Sequence, residues 1–449
     1  MSDSPVLDTT RRRDATPANG IHTNGARNGS AQNGADHDEF GIDGPVRHGV
    51  AQTGTDGLSI ERVGDGKLGS ALLSVPGLEA VRSAENDNEL TLNMGPQHPS
   101  THGVFRLIMQ LDGETVVGVT PVMGYLHRST EKLGEARTYV QGVTLTDRMD
   151  YLSPMTTNWA YALTVERLAG LEVPERAEYI RVIVSELSRL SSHLVAVGTF
   201  GADVGTWFTP LVYCFREREE ILDLFMLCAG VRMNPSYIRP GGVARDLSED
   251  FIDRATNFVD RMQKNIDEYE SLLTKNEIFL ARTKGVGLLP PELAKQYSVT
   301  GPILRASGIS YDIRRAEPYG IYDRFDWEVP IRYGGDAFDR YMVRIEEMRQ
   351  CVQILQQALR DIPEGEIRGR MPKILRPPKA DAYARIEGPK GEIGFYLISD
   401  GSTSPYRYKV RAPSFINLTV LSQLTIGHKV ADAVVILGSF DIVMGEVDR

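Results

Sequence analysis

The chain has 449 residues and a formal net charge of −10, which argues against nucleic acid as its main partner because phosphate backbones attract basic surfaces. Its three cysteines, Cys214, Cys228 and Cys351, form no Cys-x-x-Cys pair. They fit a reducing compartment and are interpreted as small buried hydrophobic residues, not metal ligands. No apolar run reaches the roughly 20 residues needed to cross a bilayer, since the best candidate, residues 430–443, contains Asp432 and Asp441. We therefore expect a soluble or peripheral protein.

The first 88 residues differ in composition from the rest. They are rich in Gly, Asn, Asp, Ser and Thr, and Phe40 is their one aromatic residue, so they cannot bury enough apolar surface to offset the entropy lost on ordering. We predict a mostly disordered extension over residues 1–88, followed by a single domain over residues 89–449. Residues 51–88 leave a second interpretation open, a strap over a neighbouring subunit with residues 71–81 ordered. The arginines at positions 11–13 precede no apolar stretch, which excludes an export signal.

The segment GPQHPSTHG, residues 95–103, places His98 and His102 four residues apart. Pro99 disfavours a helical conformation at His98, and glycines close both ends. The pattern predicts a turn between extended segments at residues 89–93 and 104–111. Imidazoles on a loop favour proton chemistry, metal ligation or a buried polar contact.

The remaining periodicities predict an α+β fold. A small antiparallel sheet is expected to extend to about residue 122, and residues 123–362 to be mainly helical. A long helix is predicted after Pro174, with a flanking stripe of Glu186, Arg189 and His193 beside its apolar face. Asp246 and Glu249 are interpreted as the capping box of a second long helix.

The last part of the chain changes character. A third long helix is predicted over residues 337–359. Residues 363–449 read as β-rich loops and a C-terminal tail, with strands at 383–387, 393–399 and 406–411 and a final helix at 416–424. No internal repeat is visible.

Nucleotide and hydrolase signatures are missing from the sequence. The segment GVGLLP, residues 285–290, ends in proline and lies in no βαβ unit, so we interpret it as a loop and expect this chain to bind no NADH. There is no P-loop, and no Gly-x-Ser-x-Gly motif supports a hydrolase triad.

Several ordered motifs carry a resemblance to a known family. They are LTLNMGPQHP (90–99), GYLHR (124–128), DRMDY (147–151), RPGG (239–242), RAPSF (411–415) and FDIVMGEVDR (440–449). In this order the chain resembles the quinone-site subunit of respiratory complex I, the bacterial counterpart of a large mitochondrial peripheral-arm subunit, which is related to the large subunit of nickel–iron hydrogenases. The resemblance implies a hydrogenase-like α+β fold with a helical bundle core and small sheets near both ends, without the metal.

The resemblance also implies roles for individual residues. His102, Tyr151 and Asp203 match the family's headgroup histidine, headgroup tyrosine and the aspartate paired with that histidine. Their residue types suit the chemistry, since a phenol and an imidazole can each donate a hydrogen bond and then a proton to a quinone. By themselves, a tyrosine at a helix start, a turn aspartate and a loop histidine would be read as structural. His98 and Val443 are the further residues expected along the quinone cavity.

A second set of residues matches the family's surface facing a [4Fe–4S] cluster bound by an adjacent subunit. This set consists of Arg128, Arg148, Met233 and Asp441, and fixed positive charge there would raise the cluster potential. The alternative for the arginines is ordinary ion pairing. Met233 stands where many relatives carry a histidine, and Val122 replaces another. Because a thioether cannot titrate, we expect a lower, less pH-dependent cluster potential, which would suit a low-potential quinone such as a menaquinone.

The resemblance implies an enzyme subunit with many partners: a peripheral subunit on the cytoplasmic side of the plasma membrane, within a proton-translocating NADH:quinone oxidoreductase. NADH, flavin and Fe–S clusters would be bound by partner subunits, and the membrane subunit at the quinone entrance would be a further neighbour. Nickel–iron hydrogen chemistry is disfavoured because DRMDY and the terminal FDIV hold no cysteine. A scaffold role and a different electron donor, such as a deazaflavin, stay open.

Overall fold

The computed structural model describes residues 78–82, 89–206 and 208–449, with side chains described from Leu90 onward. The chain first forms an antiparallel sheet in the order β1-β2-β3-β4. Its strands are β1 (Leu78–Arg82), β2 (Glu89–Met94), β3 (Arg106–Asp112) and β4 (Thr115–Val122). Alternation along β3 buries Leu107, Met109 and Leu111, as expected for a sheet with one face toward the core. The predicted strands are confirmed; β1 falls in the segment left open, and residues 1–77 lie outside the described part.

The middle of the chain is a helical body interrupted by one small hairpin, β5 (Ile238–Arg239) and β6 (Gly242–Val243), that the sequence analysis did not predict. Its helices are α1 (Thr130–Ala136), α2 (Val143–Thr146), α3 (Pro154–Ala169), α4 (Glu175–Val204), α5 (Thr209–Ala229), α6 (Glu249–Leu273), α7 (Glu277–Thr283), α8 (Pro291–Gln296), α9 (Pro302–Ala306), α10 (Ile313–Ala316) and α11 (Ala337–Asp361). The helix predicted over 337–359 is confirmed as α11.

Helix α4 is the centre of this body, since α3, α5, α11 and a later helix all pack against it. It begins after Pro174, which occupies the N-cap position and not the first turn. The flanking stripe of Glu186, Arg189 and His193 is fully buried. A helix hidden on nearly every side cannot keep a solvated polar face, so these residues pair with other buried charges.

The proposed capping box at the start of α6 is wrong. Ser248 is the N-cap, and its hydroxyl accepts a hydrogen bond from the Phe251 N–H at 3.2 Å. Asp246 instead accepts hydrogen bonds from Arg176 at 3.0 Å and from the Leu247 N–H at 2.8 Å. The Arg176 guanidinium group therefore binds the carboxylate that the sequence spacing had assigned to the cap.

The C-terminal part contains a three-stranded antiparallel sheet of β7 (Ala380–Gly388), β8 (Gly391–Ser399) and β9 (Arg407–Arg411). The three strands were predicted. The single helix expected at 416–424 was wrong: short turns replace it, α12 (Pro413–Asn417), a 3-10 turn (Leu418–Val420) and α13 (Leu421–Thr425), followed by the unpredicted α14 (Val430–Phe440) and then α15 (Met444–Val447). The observed fold is α+β, as predicted.

The apolar interior has two clusters. One lies within the helical body and reaches β7–β9, and the other joins the first sheet to α14 and the tail. Cys214, Cys228 and Cys351 are buried and unpaired, which confirms their interpretation as hydrophobic residues. None of the helices in the described ranges is both long and apolar enough to span a membrane.

Candidate functional site

The histidine loop is built around a short 3-10 turn over Pro99–Thr101. His98 caps this turn, because its Nδ1 accepts a hydrogen bond from the Ser100 N–H at 3.2 Å. Burial lowers the pKa of His98, against an opposing effect of Asp203, which favours the neutral imidazole that can accept this bond. The contact supports a structural role for His98 in shaping the loop.

His102 ends the turn in a left-handed conformation with φ 50°. Few residues other than glycine adopt this conformation, which costs on the order of 1 kcal/mol or more. Its Nε2 lies 2.7 Å from Asp203 Oδ2, and because an ionised carboxylate only accepts, Nε2–H donates. The Nδ1 atom has no hydrogen-bond partner among the described residues. This nitrogen is therefore available to a substrate.

Asp203 lies in the last turn of α4 and is brought close to His102 by α14. A Cβ on Gly438 of α14 would lie 2.5 Å from Asp203 Oδ2, so only glycine leaves room for the carboxylate. Both side chains are largely buried, with 13% and 11% of their surface exposed. The pair is thus held at the junction of the loop, α4 and α14.

The charge state of His102 follows from this environment. Burial alone lowers the pKa of His102, but the hydrogen bond and charge of Asp203, with a smaller contribution from Asp441, outweigh burial and raise the pKa above its ordinary value. The imidazolium form therefore persists to higher pH than for a free histidine. In that form, Nδ1 carries a proton that it can donate.

Tyr151 lies just before α3, whose N-cap is Ser153. Its ring lies against the tail, since a Cβ on Gly445 would be 3.0 Å from Tyr151 Cδ1. The neighbouring tail residue Met444 packs against the histidine loop, with its Cγ 3.4 Å from the position of a Cβ on Gly103. Helix α15 therefore brings Tyr151 and the His102 loop to one place.

Tyr151 is half-buried, and its hydroxyl group forms no hydrogen bond to another described residue. Burial and the charge of Asp150 raise the pKa of Tyr151, against opposing effects of Lys390 and Arg128. The phenol therefore keeps its proton at neutral pH and is a hydrogen-bond donor without a partner in the described part of the chain.

A cluster of buried charged side chains that was not predicted includes Asp150, the residue before Tyr151, and Asp441. Lys390 Nζ is 3.3 Å from Asp150 Oδ2 and 3.6 Å from Asp441 Oδ2. Burial and the charge of Asp150 raise the pKa of the nearby Glu446 to about 7. The segment GPKG at residues 388–391 lies between two of the predicted strands, and nothing in its local pattern indicates that this turn is buried.

The residues matched to a cluster-facing surface separate into two groups. Arg128 and Arg148 are exposed and adjacent, since Arg128 Nη2 donates to Arg148 O at 3.0 Å and to Gly445 O at 3.1 Å. Met233 is 44% exposed. Asp441 is buried, with its Oδ2 3.6 Å from Lys390 Nζ and 3.9 Å from Arg344 Nε. It belongs by geometry with the buried cluster.

Other features complete the site. Val443 is buried at the start of α15, where its N–H donates to Ser414 Oγ at 3.3 Å. The carboxylate of Asp448 accepts hydrogen bonds from the Gly124 and Leu126 N–H groups, each at 2.8 Å, and ties GYLHR to the tail. Among the residues that the structure describes, no group of three or more His, Cys, Asp or Glu side chains is arranged to hold a metal ion.

Comparison with known proteins places this chain in a family. The profile of the family described as respiratory-chain NADH dehydrogenase, 49 Kd subunit, matches residues 203–381 and 373–449. The corresponding NADH-quinone oxidoreductase subunit of Dehalococcoides mccartyi is 58% identical over 358 residues, covering 80% of this chain and 98% of the relative. The chain belongs to this family. The equivalent subunit of Roseiflexus sp. is also 58% identical, over 80% of this chain and 99% of its own, and that of Clostridium beijerinckii is 50% identical over 80% and 97%.

Membership in the 49-kDa subunit family confirms the resemblance drawn from the ordered motifs. The structure also brings together DRMDY and the FDIV segment, the two places compared above with the hydrogenase metal motifs. Asp150 of the first and Asp441 of the second lie on either side of the Lys390 ammonium group. In this family member, the cation between the two segments is a lysine side chain.

Proposed function

We propose that this chain forms one wall of the quinone site of a proton-translocating NADH:quinone oxidoreductase. Tyr151 and His102 would hold the quinone headgroup and protonate it, and Asp203 would keep His102 charged. Its relatives are named as a subunit of NADH-quinone oxidoreductase. The observation that carries the proposal is that Tyr151 and the loop of His102 both lie beside α15 and that both side chains favour their protonated forms. Neither the Tyr151 hydroxyl nor the His102 Nδ1 atom has a hydrogen-bond partner among the described residues.

Quinone reduction needs two protons as well as two electrons. The Tyr151 O–H and the His102 Nδ1–H are suited to donate hydrogen bonds to carbonyl oxygens, and these bonds strengthen as negative charge develops there. Each can then transfer its proton to a quinone oxygen. Asp203, at 2.7 Å from His102, favours the charged imidazole before transfer and orients the ring throughout.

The electrons would come from a [4Fe–4S] cluster held by an adjacent subunit. Arg128 and Arg148 present exposed guanidinium groups next to the segment that carries Tyr151. Positive charge on that surface would favour the reduced cluster. Met233, with its non-titrating thioether, would leave the potential low and only weakly dependent on pH.

The remaining assignments follow from membership in a multi-subunit enzyme. NADH, flavin and the clusters would be bound by partner subunits, and the membrane subunit at the quinone entrance would close the cavity. The chain would lie at the cytoplasmic side of the plasma membrane. A low-potential quinone such as a menaquinone is the proposed substrate.

Substituting Tyr151 tests the proposal. Tyr151→Phe keeps the ring against Gly445 but removes the hydroxyl group, so quinone reduction by the assembled complex should fall by about 100-fold. Electron transfer from NADH to an artificial acceptor that accepts electrons upstream should stay at the wild-type rate. If Tyr151→Phe assembles and reduces quinone normally, the chain is a scaffold and the proposal is wrong. Tyr406→Phe, at an exposed tyrosine of the C-terminal sheet region, is the matched control.

A further inference from the structure

The turn between β7 and β8 is buried, although hairpin turns usually lie at the surface. Residues from Glu387 to Phe395 are all buried. The turn is locked in place from two sides: Asn417 Nδ2 donates to Lys390 O at 3.1 Å, and a Cβ on Gly391 would lie 2.5 Å from Thr300 Oγ1. The hairpin therefore delivers one specific side chain, that of Lys390, into the interior.

Lys390 is 1% exposed, and burying an unpaired ammonium group would cost several kcal/mol. Its Nζ donates to Ser192 Oγ at 2.7 Å and lies 3.3 Å from Asp150 Oδ2 and 3.6 Å from Asp441 Oδ2. The Asp441 Oδ2 atom has no hydrogen bond among the described residues. The lysine is thus the shared counter-ion of two carboxylates from distant parts of the chain.

These carboxylates belong to the two sides of the candidate quinone site. Asp150 directly precedes Tyr151, and Asp441 acts on the charge of His102. The charged groups around the lysine are Asp150 from the segment before α3, Asp441 at the end of α14 and Glu446 of α15, with Arg344 of α11 on the far side of Asp441. One lysine therefore faces three carboxyl groups.

We propose that Lys390 is a positioning residue of the quinone site, whose buried ammonium group holds the carboxylates of Asp150 and Asp441 in place and links the Tyr151 and His102 sides electrostatically. This inference rests on the proposed function. When two electrons reach the quinone, the Tyr151 O–H and His102 Nδ1–H bonds break and two O–H bonds form on the quinol. Proton loss from Tyr151 leaves a phenolate, and the fixed charge of Lys390 stabilises it until a proton returns.

The test is Lys390→Met in the assembled complex, with the pH profile of quinone reduction as the readout. Lys390 lowers the pKa values of Asp150 and Glu446. Without the cation these two pKa values rise, so the acidic limb of the profile should move up by about one pH unit or more. The kcat should fall about 10-fold, and KM should change much less. Lys390→Arg keeps the charge and should restore the position of the limb. Lys373→Met, at an exposed lysine, should leave the profile unchanged.

Two results separate this inference from the proposed function. If the acidic limb of the pH profile does not shift in Lys390→Met, the inference about Lys390 is wrong. The proposed function still stands in that case if Tyr151→Phe, prepared in the same way, does not reduce quinone. If Lys390→Met does not assemble, Ser192→Ala replaces it, since this change removes only the hydroxyl that holds Nζ. It should move the limb in the same direction by a smaller amount, and a wild-type profile for Ser192→Ala would also overturn the inference.

Discussion

His102 and Asp203, 101 positions apart in the chain, are joined by a 2.7 Å hydrogen bond between Nε2 and Oδ2. The bond joins a loop residue in a left-handed conformation to the last turn of the central helix. It leaves His102 Nδ1 as the nitrogen available to a substrate. Asp203 raises the pKa of His102, so the protonation of this nitrogen near neutral pH depends on that carboxylate.

Asp203→Asn should move the pH profile of quinone reduction. In the wild type, Asp203 raises the pKa of His102 above its ordinary value of 6.5 against the opposing effect of burial. Once the carboxylate is removed, burial dominates and the pKa falls, so the imidazole loses its proton at lower pH. We expect the alkaline limb to shift down by about one unit or more and the rate at pH 7.5 to fall about 10-fold, measured with the assembled complex.

The control for this change is Asp223→Asn, which removes an exposed carboxylate paired with Arg232 and should leave the profile unaltered. The raised pKa of His102 also affects the stability of the fold. Because the folded-state pKa lies above the unfolded one, the stabilising contribution of His102 is complete below about pH 6.5 and is lost as the pH rises through the folded-state value. An alkaline limb at the wild-type position in Asp203→Asn would refute the assigned role of Asp203.

Gly438→Ala should impair activity without loss of stability. The added Cβ would lie 2.5 Å from Asp203 Oδ2, so the carboxylate must move away from His102. Alanine inside α14 favours the helix by about 1 kcal/mol over glycine, which offsets the crowding. We expect a several-fold loss of quinone reduction with the complex intact. In an Asp203→Asn background the glycine change should have little further effect, because both act through one carboxylate; additive losses would contradict this.

Met233→His should make the potential of the neighbouring cluster depend on pH. The wild-type thioether cannot bind a proton, whereas an imidazole can be protonated when the cluster is reduced. Redox titration at several pH values should show a shallow slope in the wild type and a steeper one, up to about 59 mV per pH unit, in the variant. Met226→His, at a methionine with similar exposure of 43%, is the control. A steep wild-type slope would eliminate the idea.

Glu347→Gln should destabilise the fold more than it affects quinone chemistry. The Glu347 carboxylate is fully buried and accepts hydrogen bonds from Arg305 at 2.8 Å and from His193 at 2.9 Å. Removing one partner of a buried ion network costs about 3–5 kcal/mol, so thermal inactivation of the complex should occur several degrees lower. Glu346→Gln, at a partly exposed glutamate paired with Arg332, should cost less than about 1 kcal/mol. Equal inactivation temperatures for the two variants would contradict this.

The strands and the third long helix were predictable because alternation and helical periodicity are local patterns. The cap of α6 was not, since Ser248 and Asp246 are both good capping residues and only the position of Arg176 decides between them. Helix α14 was missed because its apolar residues from Ala433 to Leu437 are consecutive and show no one-sided periodicity, as expected for a helix covered on most sides. The stripe of Glu186, Arg189 and His193 had the correct spacing, but its burial follows from packing alone.

Residue types and ordered motifs were enough to indicate the family and the α+β class, and they singled out His102, Tyr151 and Asp203 as candidates for the site. The chain's own periodicity could not reveal that α15 packs against Tyr151 and against the loop of His102, or that Gly438 makes room for Asp203. Those contacts join segments hundreds of positions apart. Lys390 is the clearest case. In the sequence it is one residue of a polar turn, and its charge gains a role only because the fold removes it from water and places two carboxylates beside it.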